Sequence, residues 1–128
     1  MGLGPFVKSW ERVVSLFAVA VIFSGLAYAY ERQSLSRTDL NPVFQDINQE
    51  YFGGELFGVR VEWRTLDAER GEARKYGEHD FVIFVDRREN TSIADVRRTL
   101  EHEACHVAVT WREPEEHGPI FSACVKRY

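Results

Sequence analysis

The 128-residue chain is poor in several things, and each shortage narrows what it can be. It has no internal repeat and no low-complexity tract, so solenoid and disordered classes are set aside. It has no cluster of lysine and arginine interleaved with aromatic residues. The pairs Arg87-Arg88 and Arg97-Arg98 read as solvated surface, and no nucleic-acid partner is expected. Its formal net charge is −4, and without Lys8, Glu11 and Arg12 at the start the balance is more acidic still. Cysteine occurs only twice, as Cys105 and Cys124. The two could form one disulfide in an exported domain, or remain small buried thiols in a reducing compartment. Histidine is scarce too. There are four, at 79, 102, 106 and 117, and three of them fall in the last third of the chain.

One long uncharged run stands apart from an otherwise ordinary globular composition of 45% hydrophobic and 28% charged residues. Val13 to Tyr30 carries no charge, with Lys8 and Arg12 before it and Arg32 and Arg37 after it. About 18 apolar residues are near the lower limit for a membrane span. The run also ends in Ala27-Tyr28-Ala29, a small-x-small pattern at which a signal peptidase would cut. Residues 1–30 are therefore read as a membrane anchor or a signal peptide. Residues 31–40 follow as a polar linker, and 41–128 as one domain. The domain is expected outside the cytoplasm, anchored or exported, with membrane contact through residues 13–30 if the leader is not cleaved. Basic flanks on both sides decide orientation only weakly.

The chemistry concentrates in His102-Glu103-Ala104-Cys105-His106. Two histidines four apart lie one turn apart on one helix face, where both imidazoles can reach one metal ion. The glutamate after the first is rotated off that line but stays close enough to act on a water at the metal. This is the H-E-x-x-H pattern of zinc peptidases. A catalytic zinc takes three protein ligands and keeps one position for water, so a third ligand is needed. Metzincin spacing would require a glycine three residues after the second motif histidine and a further histidine three beyond that, but the chain has Val109 and Arg112 there. His117 is preferred because Gly118-Pro119 breaks the chain just after it. Glu113, Glu115 and Glu116 remain alternatives.

The elements around the motif follow from periodicity. Asn41-Pro42 reads as a helix start with Asn41 as cap, and Val43, Phe44, Ile47, Tyr51 and Phe52 make one apolar face before Gly53-Gly54. Strands are expected at Val59–Arg64, which alternates, at Ala73–Gly77, and at Phe81–Val85, a dense apolar run suited to an inner strand. The motif helix starts at Thr91-Ser92, with Ser92 as cap and Asp95 completing a box. Its apolar stripe is Ile93, Val96, Leu100, Ala104, Val107 and Trp111, and it ends before Pro114. A last helix is expected over 119–128, with Ile120, Phe121, Cys124 and Val125 inward.

With these pieces placed, the chain resembles the SprT-like (Spartan-type) zincin family. The resemblance rests on Asn41 to Phe52 followed by Gly-Gly, on Val-x-Val-x-Trp-Arg at 59–64, on Thr99-Leu100-Glu101-His102-Glu103-Ala104-Cys105-His106, and on His117-Gly118-Pro119-Ile120-Phe121. It implies an α+β, minimal zincin-like fold with a small sheet packed on the HExxH helix, here preceded by a hydrophobic N-terminal helix. It also implies one Zn²⁺ held by His102, His106 and His117, with Glu103 as the catalytic acid/base of a metalloendopeptidase acting on a protein or peptide. Many relatives continue into a cysteine-rich ribbon or DNA-binding regions, and Spartan-type relatives cut proteins crosslinked to DNA. The acidic domain and the apolar leader argue against carrying that substrate over. Tyr76, His79 and Tyr128 are the residues considered for steadying the oxyanion. The competing reading is a non-catalytic zinc-binding domain tethered to a membrane.

Overall fold

The computed structural model describes residues 6–110, 112, 113 and 115–128, with side chains from residue 18 onward. The chain divides after Ser34 into two units. The first is helix α1 (Phe6–Leu35). From Val19 onward its large apolar residues are exposed, among them Val21, Ile22, Phe23 and Leu26. Among the described residues no helix is long and apolar enough to cross a membrane. Part of the run Val13–Tyr30 lies outside the described side chains. The segment expected as a linker from residue 31 begins as helix, because α1 continues to Leu35.

The second unit is an α+β domain with the order α2 (Asn41–Phe52), β1 (Val59–Arg64), β2 (Gly71–Gly77), β3 (Asp80–Asp86), α3 (Ile93–Val109) and α4 (Pro119–Val125). The three strands form one sheet in the order β1-β3-β2. β3 is the inner strand, as its apolar density suggested, parallel to β1 and antiparallel to β2. Its alternate residues serve two faces. Phe81, Ile83 and Val85 join Phe44, Ile47, Val61, Val96, Leu100, Ala104 and Val107 in the main core beneath α2 and α3. Val82 and Phe84 meet Leu66 on the other face. There the Arg64 and Arg74 guanidinium groups lie 4.6 and 5.5 Å from the Phe84 ring centroid, so two cations cover that apolar surface.

Polar side chains fix the connections. Asn41 is not the cap of α2. Leu40 holds that position without a side-chain bond, and Asn41 reaches sideways instead. Its Oδ1 accepts from the Val61 N–H at 2.9 Å and its Nδ2 donates to the Val61 carbonyl at 3.4 Å, which ties α2 to the edge strand β1. Asn48 is buried and does the same for the loop after the helix, bonding both the N–H and the carbonyl of Leu56 at 3.1 Å. At the end of β3, Asp86 is fully buried. Burial pushes its carboxyl up, but the Arg88 guanidinium and the N–H groups of Leu66, Arg88 and Glu89 outweigh this and hold it at about 2. Gly58 has φ +67°, and a Cβ there would run into the His79 carbonyl, so the entry to β1 requires glycine.

Other expectations needed correction. β2 begins two residues earlier than expected, at Gly71. Ile93 is 52% exposed rather than part of the core stripe, because the helix starts there before it reaches the sheet. Ile120 is 40% exposed, and α4 stops at Val125, three residues short. Trp111 and Pro114 lie outside the described residues. The start of α3 does carry the capping box, with Ser92 accepting from the Asp95 N–H and Asp95 accepting from the Ser92 N–H.

Removing the Asn48 amide would deprive two half-buried backbone groups of Leu56 of their partner. Asn48→Ala should therefore cost about 2–3 kcal/mol, read as a shift in the urea midpoint with an unchanged slope.

Candidate metal centre

Helix α3 packs its Val96–Leu100–Ala104–Val107 stripe on the sheet, and the face beside that stripe carries His102 and His106, both half-buried. The loop after α3 returns His117, which is exposed, to the same place just before α4 begins. One ring nitrogen from each of the three histidines lies within 4.8 Å of the others. The His106 and His117 Nε2 atoms are 3.1 Å apart. The rings of His102 and His106 are 5.0 Å apart between centroids, and those of His102 and His117 are 5.4 Å apart.

Three features hold the loop histidine there. Cys105 and Cys124 form a disulfide that links α3 to α4 one residue before His106. By the chain-entropy account, closing a loop of this length contributes about 3 kcal/mol. The Glu113 carboxylate accepts from the N–H groups of Ile120 at 3.0 Å and Phe121 at 2.9 Å, which pins the loop to the first turn of α4. Glu113 is thereby occupied as a capping group and stands outside the imidazole cluster, as do Glu115 and Glu116. Phe121 forms the floor. Its ring stacks on His106 at 4.3 Å and lies 5.0 Å from His102 and 4.7 Å from His117. The sequence marked Phe121 as an inward residue and as the end of the match at residues 117–121, but not as a floor for the imidazoles. Its contact with all three imidazoles depends on a long-range packing that no local period encodes.

The three nitrogens open onto a cleft of about 700 Å³, lined on one side by residues 69–73, which lead into β2, and on the other by Thr99, His102, Glu103, His106, Glu113 and His117. Glu103 is buried at 5% exposure on this wall. Burial raises its carboxyl from 4.5 to about 7, and the nearby Ala73 backbone N–H pulls the other way. Nearby Glu69, Glu72 and Glu116 push it further up. Burial also lowers His106 from 6.5 to about 4, with help from His102 and His117. His102 moves down for the same reasons, burial first and His117 second. The imidazoles of the helical pair are thus neutral at pH 7, with lone pairs free for a metal.

The donor set fits zinc. Three imidazole nitrogens suit that ion, and ligands about 2.0–2.1 Å from a tetrahedral zinc sit roughly 3.3 Å from one another, close to the His106–His117 spacing. Three protein donors facing an open cleft leave the fourth position to water. Gly71 sets how near the opposite wall can come. A Cβ there would lie 2.5 Å from Thr99 Cγ2 and 3.0 Å from Glu103 Cγ. None of the three residues considered for the oxyanion lines the cleft. Tyr76 is 58% exposed, His79 borders other surface hollows, and Tyr128 packs its ring on Tyr51 and its hydroxyl against Cys105 Sγ at 3.4 Å.

A comparison with known families matches residues 40–128 to the SprT-like family. No curated protein matches the chain.

Glu103 also makes a signed prediction for the metal-free protein. Its carboxyl is raised in the folded state, so its contribution to stability is full below about pH 4.5 and is lost as pH rises toward 7. His106 works in the opposite sense over the acid range, gaining stability as pH rises from about 4 to 6.5. Comparing wild type with Glu103→Gln isolates the first effect. The difference in unfolding free energy should move in favour of the variant between pH 4.5 and 7, by up to about 3 kcal/mol. Urea titrations in chelator at several pH values measure it, and a pH-independent difference would contradict the assignment.

Proposed function

The chain belongs to the SprT-like family, and from that premise we propose that it is a zinc-dependent metalloendopeptidase acting on proteins or peptides. The observation that carries this is the pairing of three converging imidazole nitrogens with a buried, ionisable carboxylate on the wall of one open cleft. His102, His106 and His117 would hold one Zn²⁺. The bound ion supplies a water acidic enough to ionise near neutral pH and a Lewis acid for the scissile carbonyl.

Glu103 then does the proton work. Its carboxylate lies on the cleft wall next to His102 in sequence, placed to take a proton and to return it. It takes the proton of the attacking water and passes it to the leaving amine of the peptide bond. The imidazoles of His102 and His106 would compete with neither step, because the ion would hold their lone pairs. Phe121 excludes water beneath the imidazoles and fixes their planes. The cleft, open along the β2 edge, offers room for an extended segment of chain. A metal that only stabilised the fold would give no reason to bury an ionisable carboxylate against that cleft.

The place of action follows from the same reading. An uncharged run over 13–30 and the exposed apolar side chains from Val19 onward support an anchor or export segment. The Cys105–Cys124 disulfide supports an oxidising compartment for the domain.

Glu103→Gln should bind zinc with wild-type stoichiometry and lose at least about 100-fold in turnover of a casein-type substrate. Chelation should abolish the wild-type activity and added zinc restore it. Turnover unchanged by the substitution would remove Glu103 as the base. A domain that unfolds on chelation but shows no turnover in any form would favour the non-catalytic reading.

A further inference from the structure

One buried polar pair serves neither the apolar core nor the imidazole cluster. Asn90 is 1% exposed and Thr99 6%. The Thr99 hydroxyl donates to Asn90 Oδ1 at 2.6 Å. The Asn90 amide nitrogen donates to the carbonyls of Arg70 and Asp86, both at 2.8 Å. The Arg70 carbonyl also accepts from the Asp86 N–H at 2.9 Å. Two donors therefore grip the backbone one residue before β2 begins, and one of them is tied through Asn90 to helix α3.

The tie sits where strand and helix come closest. Thr99 lies one turn before Glu103 on α3, and Gly71 fits against both side chains with no room for a Cβ. Two residues on is Ala73, whose backbone N–H lies near the Glu103 carboxylate and favours its charged form. An apolar pair of the same volume would fill the space equally well, but the start of β2 would then be held by its pairing with β3 and not by a polar tie to α3. A satisfied pair of buried hydrogen bonds contributes modest net stability while fixing one register.

We propose that Thr99 and Asn90 are positioning residues that lock the first residues of β2 over α3, so that the backbone from Gly71 to Ala73 stays set against the Glu103 carboxylate. For catalysis this rests on the reading of Glu103 as the base. The tie itself is a property of the fold and can be read without turnover.

The test uses the full chain loaded with zinc. Thr99→Val keeps the shape and removes the hydroxyl, and Thr99→Ser keeps the hydroxyl. In Thr99→Val, amide exchange at residues 71–73 should accelerate about tenfold while β1 amides and zinc content stay as in wild type. On casein, kcat should fall about tenfold with KM within about twofold, and Thr99→Ser should recover most of both effects. If Thr99→Val does not fold, Thr99→Ala takes its place in the same comparison. Exchange unchanged at 71–73, or accelerated evenly across the sheet, would overturn the proposal, as would an unaltered kcat beside the faster exchange. Should the local exchange signature appear in a protein that hydrolyses nothing, the tie stands and the peptidase reading fails.

Discussion

The centre depends on one long-range meeting, in which a loop imidazole arrives at a pair of helical ones. His102 and His106 share a face because of helix geometry alone. His117 does not, since it is exposed and comes from a loop. It is placed by what surrounds it: a disulfide that joins α3 to α4, a Glu113 carboxylate that pins the loop to the first turn of α4, and a Phe121 ring beneath all three imidazoles. Each device is ordinary. Together they bring three nitrogens close enough to share one ion.

Burial around that meeting point tunes the chemistry in two directions at once. It makes the histidines reluctant to hold a proton and the glutamate reluctant to lose one. In the proposed peptidase, the same burial would prepare both the metal ligands and the proton carrier. The cost falls on stability, because a carboxyl of this kind destabilises the folded state as it ionises. The Ala73 N–H lessens that cost, and Gly71 lets the strand come near enough to provide it. The β2 edge is thus both a wall of the cleft and part of the environment of the base.

Much of this was legible in the sequence, for physical reasons that differ by element. β1 was readable because alternation reports one buried face, and β3 because a dense apolar run reports burial on both. The Ser92–Asp95 box was readable because capping is local. The helical histidine pair followed from the 3.6-residue period, and His117 from the need for a third donor and a chain break beside it. What was missed acts across distance. Asn41 has the composition of a cap, but its amide is used on Val61, twenty residues away. Phe121 as a floor, Glu113 as a capping group and the Thr99–Asn90 tie depend on elements that meet only after folding. The oxyanion candidates failed for the same reason. Tyr76, His79 and Tyr128 have suitable chemistry, but none of them lines the cleft.

The central claim is that three imidazoles share one ion, and X-ray absorption at the zinc edge tests it most directly. The loaded wild-type protein should show a shell of nitrogen and oxygen ligands at about 2.0 Å with the scattering of three imidazoles and no sulfur, and His117→Ala should lose one of the three. A sulfur ligand at about 2.3 Å, or an imidazole count unchanged in His117→Ala, would contradict it.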